Sequence, residues 1–457
     1  MLRVGVVAGE ASGDTLGAAL ISALRARVPD VQVFGMAGPK MVAAGCEAWA
    51  SSDELGVMGL FEVLSHLPRL LTLRRSLVTR FIEAQPDVFV GIDVPDFNLG
   101  IAKRLKAKGL RTVQYVSPQV WAWRQARVRT IGQACDLILC LLPFETKFYR
   151  EHGVRAEFVG HPLADQIPLD VDREGARRAL GIDPTATVIA LLPGSRMGEV
   201  ERLGADFIAA AAWIAARQPQ VRFVAPMASA RVRAAFQRQL GEARRGVADA
   251  ALNEAHDLGA TTTILQQVNI AGGMPAIDVL DGQAHRALAA ADGVIVASGT
   301  ATLETLLSGR PMVVAYRLGA LTAFLLKQLA LVKVPYFSQP NLLLGRARVP
   351  EFFQNDVTGA ALGAALSKEM ADRGGVETLQ AEFRTVHETL RRGGAARAAD
   401  AILEYVGVKP VAPTLDASAS GSSAHGADGA SSAGGPQDRQ DRGAPRSTGS
   451  PRDTPRQ

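Results

Sequence analysis

Residues 4–14 read VGVVAGEASGD, an apolar run that passes through a glycine-bounded polar loop into a helical pattern. A short apolar run bounded in this way is typical of a buried strand in a parallel sheet. The glycines allow the loop backbone to approach a ligand closely. The beginning of the chain therefore predicts an α/β fold with an open loop at the carboxyl end of its first strand.

The same alternation continues along the chain. Helical periodicity appears in segments such as Leu16–Arg27 and Leu99–Lys108. Strands that alternate with helices imply parallel sheets with helices on both faces. The runs that we predict to be strands are Val4–Ala8, Val31–Phe34, Val88–Ile92, Thr112–Val116, Leu137–Leu142, Glu157–Val159, Val188–Leu192, Val221–Pro226, Val294–Ala297 and Met312–Ala315.

Two Rossmann-like domains are predicted. The 457 residues are too many for one ordinary core, and the strand pattern restarts after residues 168–172. We place the N-terminal domain at residues 1–168 and the C-terminal domain at residues 169–408. The last helical pattern, Leu379–Tyr405, can return to brace the N-terminal domain.

Two segments depart from this organisation. Residues 245–278 are rich in Ala and Gly with weak periodicity, which predicts a long insertion. The tail, residues 409–457, is rich in Ser, Gly, Ala and Pro and has no aromatic residue. Because it cannot bury enough apolar surface to offset chain entropy, we predict that it is disordered.

Charge and composition limit the partners. The net charge of +5 suits an anionic ligand or an anionic membrane surface, but it is too small to indicate nucleic acid. The three cysteines show no metal or disulfide spacing, which indicates a reducing cytoplasm. No secretory signal precedes the first strand. The longest predominantly apolar stretch, Leu318–Val334, is interrupted by Lys327 and Lys333. It therefore predicts a buried or interfacial helix rather than a membrane span.

Two loops of the N-terminal domain follow strands, where ligands bind in open α/β sheets. In residues 9–14, Ser12 and Asp14 are either ligand contacts or helix N-caps, and the glycine spacing is not that of a dinucleotide site. In residues 91–98, Asp93 is either a general base or a turn residue that caps the next helix. Pro95 stiffens this loop, which helps to hold a base in place.

A third loop, residues 191–199, lies in the C-terminal domain. It places Arg196 in a tight glycine turn before a helix. Helix N-termini and arginine both favour anions, so this loop suits a diphosphate. The alternative is a solvated surface arginine.

The fourth loop, residues 297–304, also opens a helix, whose free N–H groups suit the phosphates of a leaving nucleotide. Glu304 lies one turn into that helix, where it can accept hydrogen bonds from ribose hydroxyls. A capping box does not explain Glu304, because the hydroxyl position is Ala301. An ordinary N-cap at Ser298 or Thr300 is the alternative.

One segment can be a surface feature. Apolar residues recur at helical spacing through residues 60–75, and Pro68 interrupts the pattern. Arg69, Arg74, Arg75 and Arg80 lie in or beside this segment. The segment forms either a core-facing helix pair or an interfacial surface that takes acyl chains while the arginines meet anionic head groups. The histidines are scattered without ligand spacing, so no metal site is predicted.

Taken together, the motifs closely resemble one family, the bacterial lipid-A-disaccharide synthases, in the family's order and over most of residues 2–406. The departures, the 245–278 region and the tail, touch no motif. The matching stretches are VAGEASGD at 7–14, AGPKM at 37–41, GIDVPDFN at 91–98, YVSPQVWAWR at 115–124, LPGSR at 192–196, SGTATLE at 298–304 and PNLL at 340–343.

This resemblance implies a GT-B transferase, with two Rossmann-like domains whose parallel sheets face each other across a cleft. The implied donor is UDP-2,3-diacylglucosamine and the implied acceptor is 2,3-diacylglucosamine 1-phosphate. The products would be UDP and a β-1,6-linked disaccharide 1-phosphate, formed with inversion and without a metal or cofactor. The implied location is the cytoplasm, peripherally on the inner-membrane surface, and a homodimer is allowed.

The resemblance also implies roles for single residues. Asp93 would be the general base; Arg196, Ser298, Gly299 and Thr300 would hold the diphosphate. The remaining implied contacts are Glu304 with the ribose, Asn341 with the diphosphate side, and Glu10, Ser12 and Asp14 with the sugar or acceptor.

Two rival functions remain at the level of sequence. Another GT-B UDP-sugar enzyme, either a UDP-GlcNAc epimerase or a soluble hexosaminyltransferase, would share the 298–304 loop but would not need the greasy 60–73 segment. A two-lobed binding protein could share the layout without chemistry, but it would normally be secreted.

Overall fold

The computed structural model describes residues 1–55, 62–121, 125–257, 274–319 and 335–410. Several predicted features therefore fall wholly or partly outside the described residues. They are the start of the greasy segment at 60–61, the greasy stretch beyond residue 319, the middle of the predicted insertion and the tail after residue 410.

The N-terminal sheet has seven parallel strands in the order β3-β2-β1-β4-β5-β6-β7. Sequence order reverses between β1 and β4, which are neighbours in the sheet. The strands are β1 (Arg3–Ala8), β2 (Gln32–Ala37), β3 (Glu47–Ser51), β4 (Val88–Ile92), β5 (Thr112–Tyr115), β6 (Leu137–Cys140) and β7 (Ala156–Phe158). The helices are α1 (Glu10–Arg27), α2 (Pro39–Ala43), α3 (Glu62–Ala84), α4 (Pro95–Lys106), α5 (Val128–Ala134), α6 (Pro143–Glu151) and α7 (Pro162–Gln166).

The C-terminal sheet has six parallel strands in the order β10-β9-β8-β11-β12-β13, and its order reverses between β8 and β11. The strands are β8 (Val188–Leu192), β9 (Arg222–Met227), β10 (Ile277–Asp281), β11 (Gly293–Ala297), β12 (Met312–Tyr316) and β13 (Glu351–Phe353). The helices are α8 (Arg173–Ala179), α9 (Met197–Ala215), α10 (Ala230–Asp257), α11 (Ala284–Ala290), α12 (Thr300–Leu307), α13 (Gln339–Leu344), α14 (Gly359–Ala371), α15 (Arg373–Leu390) and α16 (Gly394–Val406).

Central strands are apolar throughout because helices cover both of their faces. In β1, Val4 and Val6 belong to the core on the side of α1 and α16, whereas Val7 belongs to the core on the side of α3 and α4. Side chains alternate across a strand, so a strand covered on both sides needs apolar residues at every position. The structure confirms the predicted fold class, two α/β domains with parallel sheets.

The C-terminal helical pattern forms two helices rather than one. α15 packs into the C-terminal domain through Leu379 and Phe383, whereas α16 packs on the N-terminal sheet through Ile402. The break covers residues 391–393: α15 ends at Leu390, and Gly393 takes a positive φ of 66° just before α16. Asp165 caps α16 by accepting hydrogen bonds from the amides of Gly393 and Gly394. The single pattern predicted over Leu379–Tyr405 is therefore divided where the chain crosses between domains.

The predicted insertion contains regular structure at both ends. α10 continues to Asp257, and β10 begins at Ile277 as an edge strand paired with β9. None of the helices in the described part of the chain is both long enough and apolar enough to cross a membrane.

Candidate active site

All four loops chosen from the sequence lie at the reversal points of the two sheets. The loops after β1 and β4 adjoin each other in the N-terminal sheet, and those after β8 and β11 adjoin each other in the C-terminal sheet. At such a point neighbouring crossovers run to opposite faces and leave a crevice at the carboxyl ends of the strands. The rule for open α/β sheets therefore places the expected ligand crevice of each domain between two of the four loops.

Asp93 lies directly after β4 in a strained loop. Its φ is 56° and that of Val94 is 34°, left-handed values that cost about 1–3 kcal/mol for residues other than glycine. Three hydrogen bonds hold the backbone of Asp93. Its amide donates to the Tyr115 carbonyl at 2.9 Å. The side-chain amides of Gln114 and Asn98 donate to the Asp93 carbonyl at 3.0 and 2.9 Å. This bracing points to a carboxylate whose position matters.

Gln114 and Asn98 were not singled out from the sequence. Gly91 makes room for both, because a Cβ there would stand 2.8 Å from each of their side chains. The signal in the sequence was a glutamine in the middle of an otherwise buried strand, where a polar residue must find hydrogen-bond partners.

In the loop after β1, the three residues predicted to contact substrate have different surroundings. The Ser12 hydroxyl donates to an Asp93 carboxylate oxygen at 3.4 Å, and Glu10 is exposed at the start of α1 with a φ of 59°. Asp14 is buried instead, and its carboxylate accepts from the amides of Lys40 and Met41 at 3.0 and 2.9 Å. Asp14 thus caps α2, whereas Ser12 lies beside Asp93.

In the C-terminal domain, Arg196 stands at the start of α9 with its side chain 81% exposed. Glu199 accepts hydrogen bonds from the amides of Ser195 and Arg196 at 3.0 and 3.2 Å, which shapes the turn. The guanidinium lies only loosely beside that carboxylate, at 3.3 Å. Arg196 is therefore free to meet an anion from solvent.

The fourth loop is open at the N-terminus of α12. Gly299 has a φ of 142°, a conformation that side chains rarely adopt, and a Cβ placed there would meet nothing within 4 Å. Thr300 is exposed, and the Ser298 hydroxyl donates to the Phe337 carbonyl at 2.9 Å. A ligand can therefore approach the first turn of the helix closely.

Glu304 is half-buried one turn into α12. Burial raises the pKa of its carboxyl, and the nearby His285 opposes this shift. Among the described residues no hydrogen-bond donor reaches this carboxylate. A desolvated acid without protein partners suits hydroxyl groups supplied by a ligand.

Asn341 is buried and fully engaged by protein. Its amide nitrogen donates to the Val349 carbonyl and to Glu351, both at 2.9 Å, and its oxygen accepts from the amides of Arg348 and Val349 at 2.7 and 2.9 Å. The side chain has no free group for a diphosphate here and instead ties α13 to the approach of β13.

Nothing in the described part of the chain groups three or more His, Cys, Asp or Glu side chains closely enough to hold a metal ion. His161, which follows β7, caps α7 by accepting from the Leu163 amide at 3.2 Å. Burial lowers the pKa of His161 to about 4, so it is neutral at physiological pH.

Solved structures share this architecture. The glycotransferase of kitacinnamycin has a TM-score of 0.55 at 19% identity, covering 88% of this chain and 98% of its own. UDP-GlcNAc 2-epimerase from Neisseria meningitidis has a TM-score of 0.53 at 10% identity, covering 89% and 99%. At these identities the likeness shows the fold alone.

Two Rossmann-like domains with parallel sheets are the GT-B architecture, which glycosyltransferases share with UDP-GlcNAc epimerases. The family model described as Lipid-A-disaccharide synthetase matches residues 4–260 and 260–405. A lipid-A-disaccharide synthase of Pseudomonas aeruginosa is 50% identical over 406 residues, which cover 89% of this chain and 98% of the relative. One from Azotobacter vinelandii is 49% identical over 405 residues, covering 88% and 98%. The chain belongs to the lipid-A-disaccharide synthase family, and this membership, rather than the fold, separates it from the epimerases.

Proposed function

We propose that this chain transfers 2,3-diacylglucosamine from its UDP derivative to 2,3-diacylglucosamine 1-phosphate, with inversion, giving a β-1,6-linked disaccharide 1-phosphate and UDP. The observation that carries the proposal is the pair of crevices. One presents a braced carboxylate, and the other presents an exposed arginine and an open helix N-terminus. Inverting transfer needs a base for the acceptor hydroxyl and a site for the departing diphosphate.

The donor would bind to the C-terminal domain. Arg196 and the amides at the start of α12, from Gly299 and Thr300, meet the diphosphate and stabilise the charge that grows as UDP leaves. Glu304 accepts hydrogen bonds from the ribose hydroxyls. Asn341 acts in this proposal through the shape of its loop rather than by contact.

The acceptor would bind to the N-terminal domain. Its 6-hydroxyl attacks the anomeric carbon while Asp93 takes the hydroxyl proton. Ser12 donates to Asp93, which orients the carboxylate, and the exposed Glu10 stands where it can contact the sugar. Asp14 supports this crevice by fixing α2.

Contact with an anionic membrane surface belongs to the same proposal. In α3, from Pro68 onwards, Leu77 and Phe81 pack into the core, while Arg69 and Arg75 are exposed. The arginines can therefore meet lipid head groups without disturbing the core. Sedimentation with anionic vesicles, but not with neutral ones, is the expected result.

Arg196→Ala is expected to weaken UDP binding by about 10- to 150-fold, because a hydrogen bond to a charged group contributes roughly 1.5–3 kcal/mol. Arg217→Ala is the matched control, since Arg217 is exposed beyond the other end of α9, roughly 30 Å away. Isothermal titration calorimetry with UDP measures both. Equal affinities for wild type and Arg196→Ala would remove Arg196 from the diphosphate site.

The reaction itself is tested by mass spectrometry of two mixtures. Acylated donor and acceptor together should give the acylated disaccharide 1-phosphate, whereas UDP-GlcNAc alone should remain unchanged. Conversion of UDP-GlcNAc into an epimer would favour the rival function.

A further inference from the structure

Glu145, in the first turn of α6, is a buried carboxylate outside the two crevices. Its side chain is only 3% exposed. One carboxylate oxygen accepts from the Leu142 amide at 3.0 Å, and the other accepts from the indole nitrogen of Trp121 at 3.1 Å. A glutamate that only completes the capping box of α6 would need just the first of these bonds. The bond to Trp121 connects α6 to a different part of the domain.

Trp121 lies in the loop that follows β5, of which the structure describes residues 116–121, and this loop begins beside Asp93. The Asp93 amide donates to Tyr115, and Gln114 donates both to the Asp93 carbonyl and, at 3.3 Å, to the Val116 carbonyl. Val116 has a φ of 75°, a strained value for a β-branched residue. Strain persists only where surrounding contacts hold it, so this loop needs contacts that anchor it.

The hydrogen bond from Leu142 connects Glu145 to the junction of the two domains. Leu142 and Phe144 pack in a core cluster with residues of the C-terminal sheet and with α15. The rings of Phe144 and Trp121 meet edge to face at 4.8 Å. One carboxylate thus connects the loop beside Asp93 to the place where the domains share a core.

We propose that Glu145 is a positioning residue: it anchors the 116–121 loop beside Asp93 and ties that loop to the domain junction. The catalytic part of this inference rests on the proposed function, because it assumes that Asp93 serves the acceptor. The anchoring part rests on the contacts of Glu145 and Trp121 alone.

Protonation of Glu145 gives the anchor a pH dependence. Burial raises the pKa of this carboxyl to about 7, although hydrogen bonds from Leu142, Trp121 and Ser117 oppose the shift. The other titratable groups around it are Cys140 on β6, Tyr149 on α6 and, behind Tyr149, Cys135, and burial raises the pKa of each. They stay neutral near pH 7, so Glu145 is the group of this cluster that changes charge there.

The sign of the effect follows from the hydrogen bonds. Above its pKa, Glu145 is ionised and accepts from both donors; below it, one oxygen carries a proton and accepts poorly. The anchor should therefore tighten as pH rises through about 7. Turnover should rise over the same interval.

The experiment compares Glu145→Gln and Trp121→Phe with Glu151→Gln, a matched control at the exposed end of the same helix. Glutamine keeps the shape of Glu145 but loses one acceptor and the titration, whereas phenylalanine removes the indole donor and leaves Glu145 intact. Both anchor variants should lower kcat by about 10- to 100-fold, the cost of a slightly misplaced site. UDP affinity should stay unchanged, because the nucleotide contacts lie in the other domain.

Tryptophan emission gives a readout that does not depend on activity. Because the indole of Trp121 donates to Glu145, the signal of Trp121 should titrate with this carboxyl, and Trp121→Phe tests that assignment. Wild type and Glu151→Gln should show an emission change centred near pH 7 that is lost in both anchor variants. Wild-type kcat, pH profile and emission titration in Glu145→Gln would overturn the inference.

Failure of the proposed function looks different. Suppose that neither the wild type nor any variant transfers sugar, but the emission titration still disappears in Glu145→Gln. The anchoring role of Glu145 is then supported, and the proposed reaction is wrong. If Glu145→Gln lowers UDP affinity and thermal stability together with kcat, the residue is merely structural, and the positioning role is wrong.

Discussion

Asp93→Asn is expected to lower kcat by roughly 10²–10⁴-fold, the usual contribution of a positioned general base. The variant should fold normally, since the loop is held through the backbone of Asp93 and asparagine tolerates its left-handed φ of 56°. An alanine at this position would add backbone strain and confuse the result. Steady-state kinetics with saturating donor and acceptor, together with a thermal unfolding curve, measure the two effects separately.

Asp96→Asn is the matched control for this prediction. Asp96 lies three residues further on, in the first turn of α4; its side chain is 81% exposed, and it pairs only with Arg127 among the described residues. It should retain wild-type kcat and UDP affinity. Near wild-type turnover in Asp93→Asn would remove Asp93 from the role of base.

Asn341→Ala is expected to lower the free energy of unfolding by about 3 kcal/mol or more. It leaves the amides of Arg348 and Val349 and the Val349 carbonyl without partners, whereas Glu351 keeps the amides of Phe337 and Ser338. Each unsatisfied buried group costs roughly 1–3 kcal/mol. Urea unfolding measures this loss. The exposed Asn355, changed to Ala, is the control and should stay within about 0.5 kcal/mol of wild type.

Asn341→Ala also distinguishes a structural role of Asn341 in its loop from direct contact with the diphosphate. If Asn341 braces its loop, UDP affinity should fall only in proportion to the folded fraction. Unchanged stability with a large loss of UDP affinity would instead place Asn341 on the diphosphate, the role that the family resemblance implies.

The central strands and the four loops were predictable from the sequence, because both follow from local patterns. A strand buried on both faces must be apolar throughout, as β4 and β8 are, and the loop at its carboxyl end is fixed by that strand. Three of the four edge strands were not predicted, whereas the fourth, β7, was predicted as Glu157–Val159. β3, β10 and β13 are partly exposed and lack a continuous apolar run, so only pairing with a neighbour reveals them.

Roles that depend on distant partners were also beyond the sequence. Asp14 and Ser12 are two positions apart in one motif, yet Asp14 turns inward to cap α2, which begins 25 residues later, and Ser12 turns towards Asp93. Glu145 looked like any acid in the first turn of a helix. Its value as an anchor depends on Trp121, which folding brings to it from a different loop.

The central claim is that an acylated sugar passes from UDP to an acylated sugar phosphate. It is tested most directly by UDP release from UDP-2,3-diacylglucosamine, measured with and without 2,3-diacylglucosamine 1-phosphate. The account predicts release only when the acceptor is present, with one disaccharide formed for each UDP. Release at the same rate without the acceptor, or release without disaccharide, would contradict it.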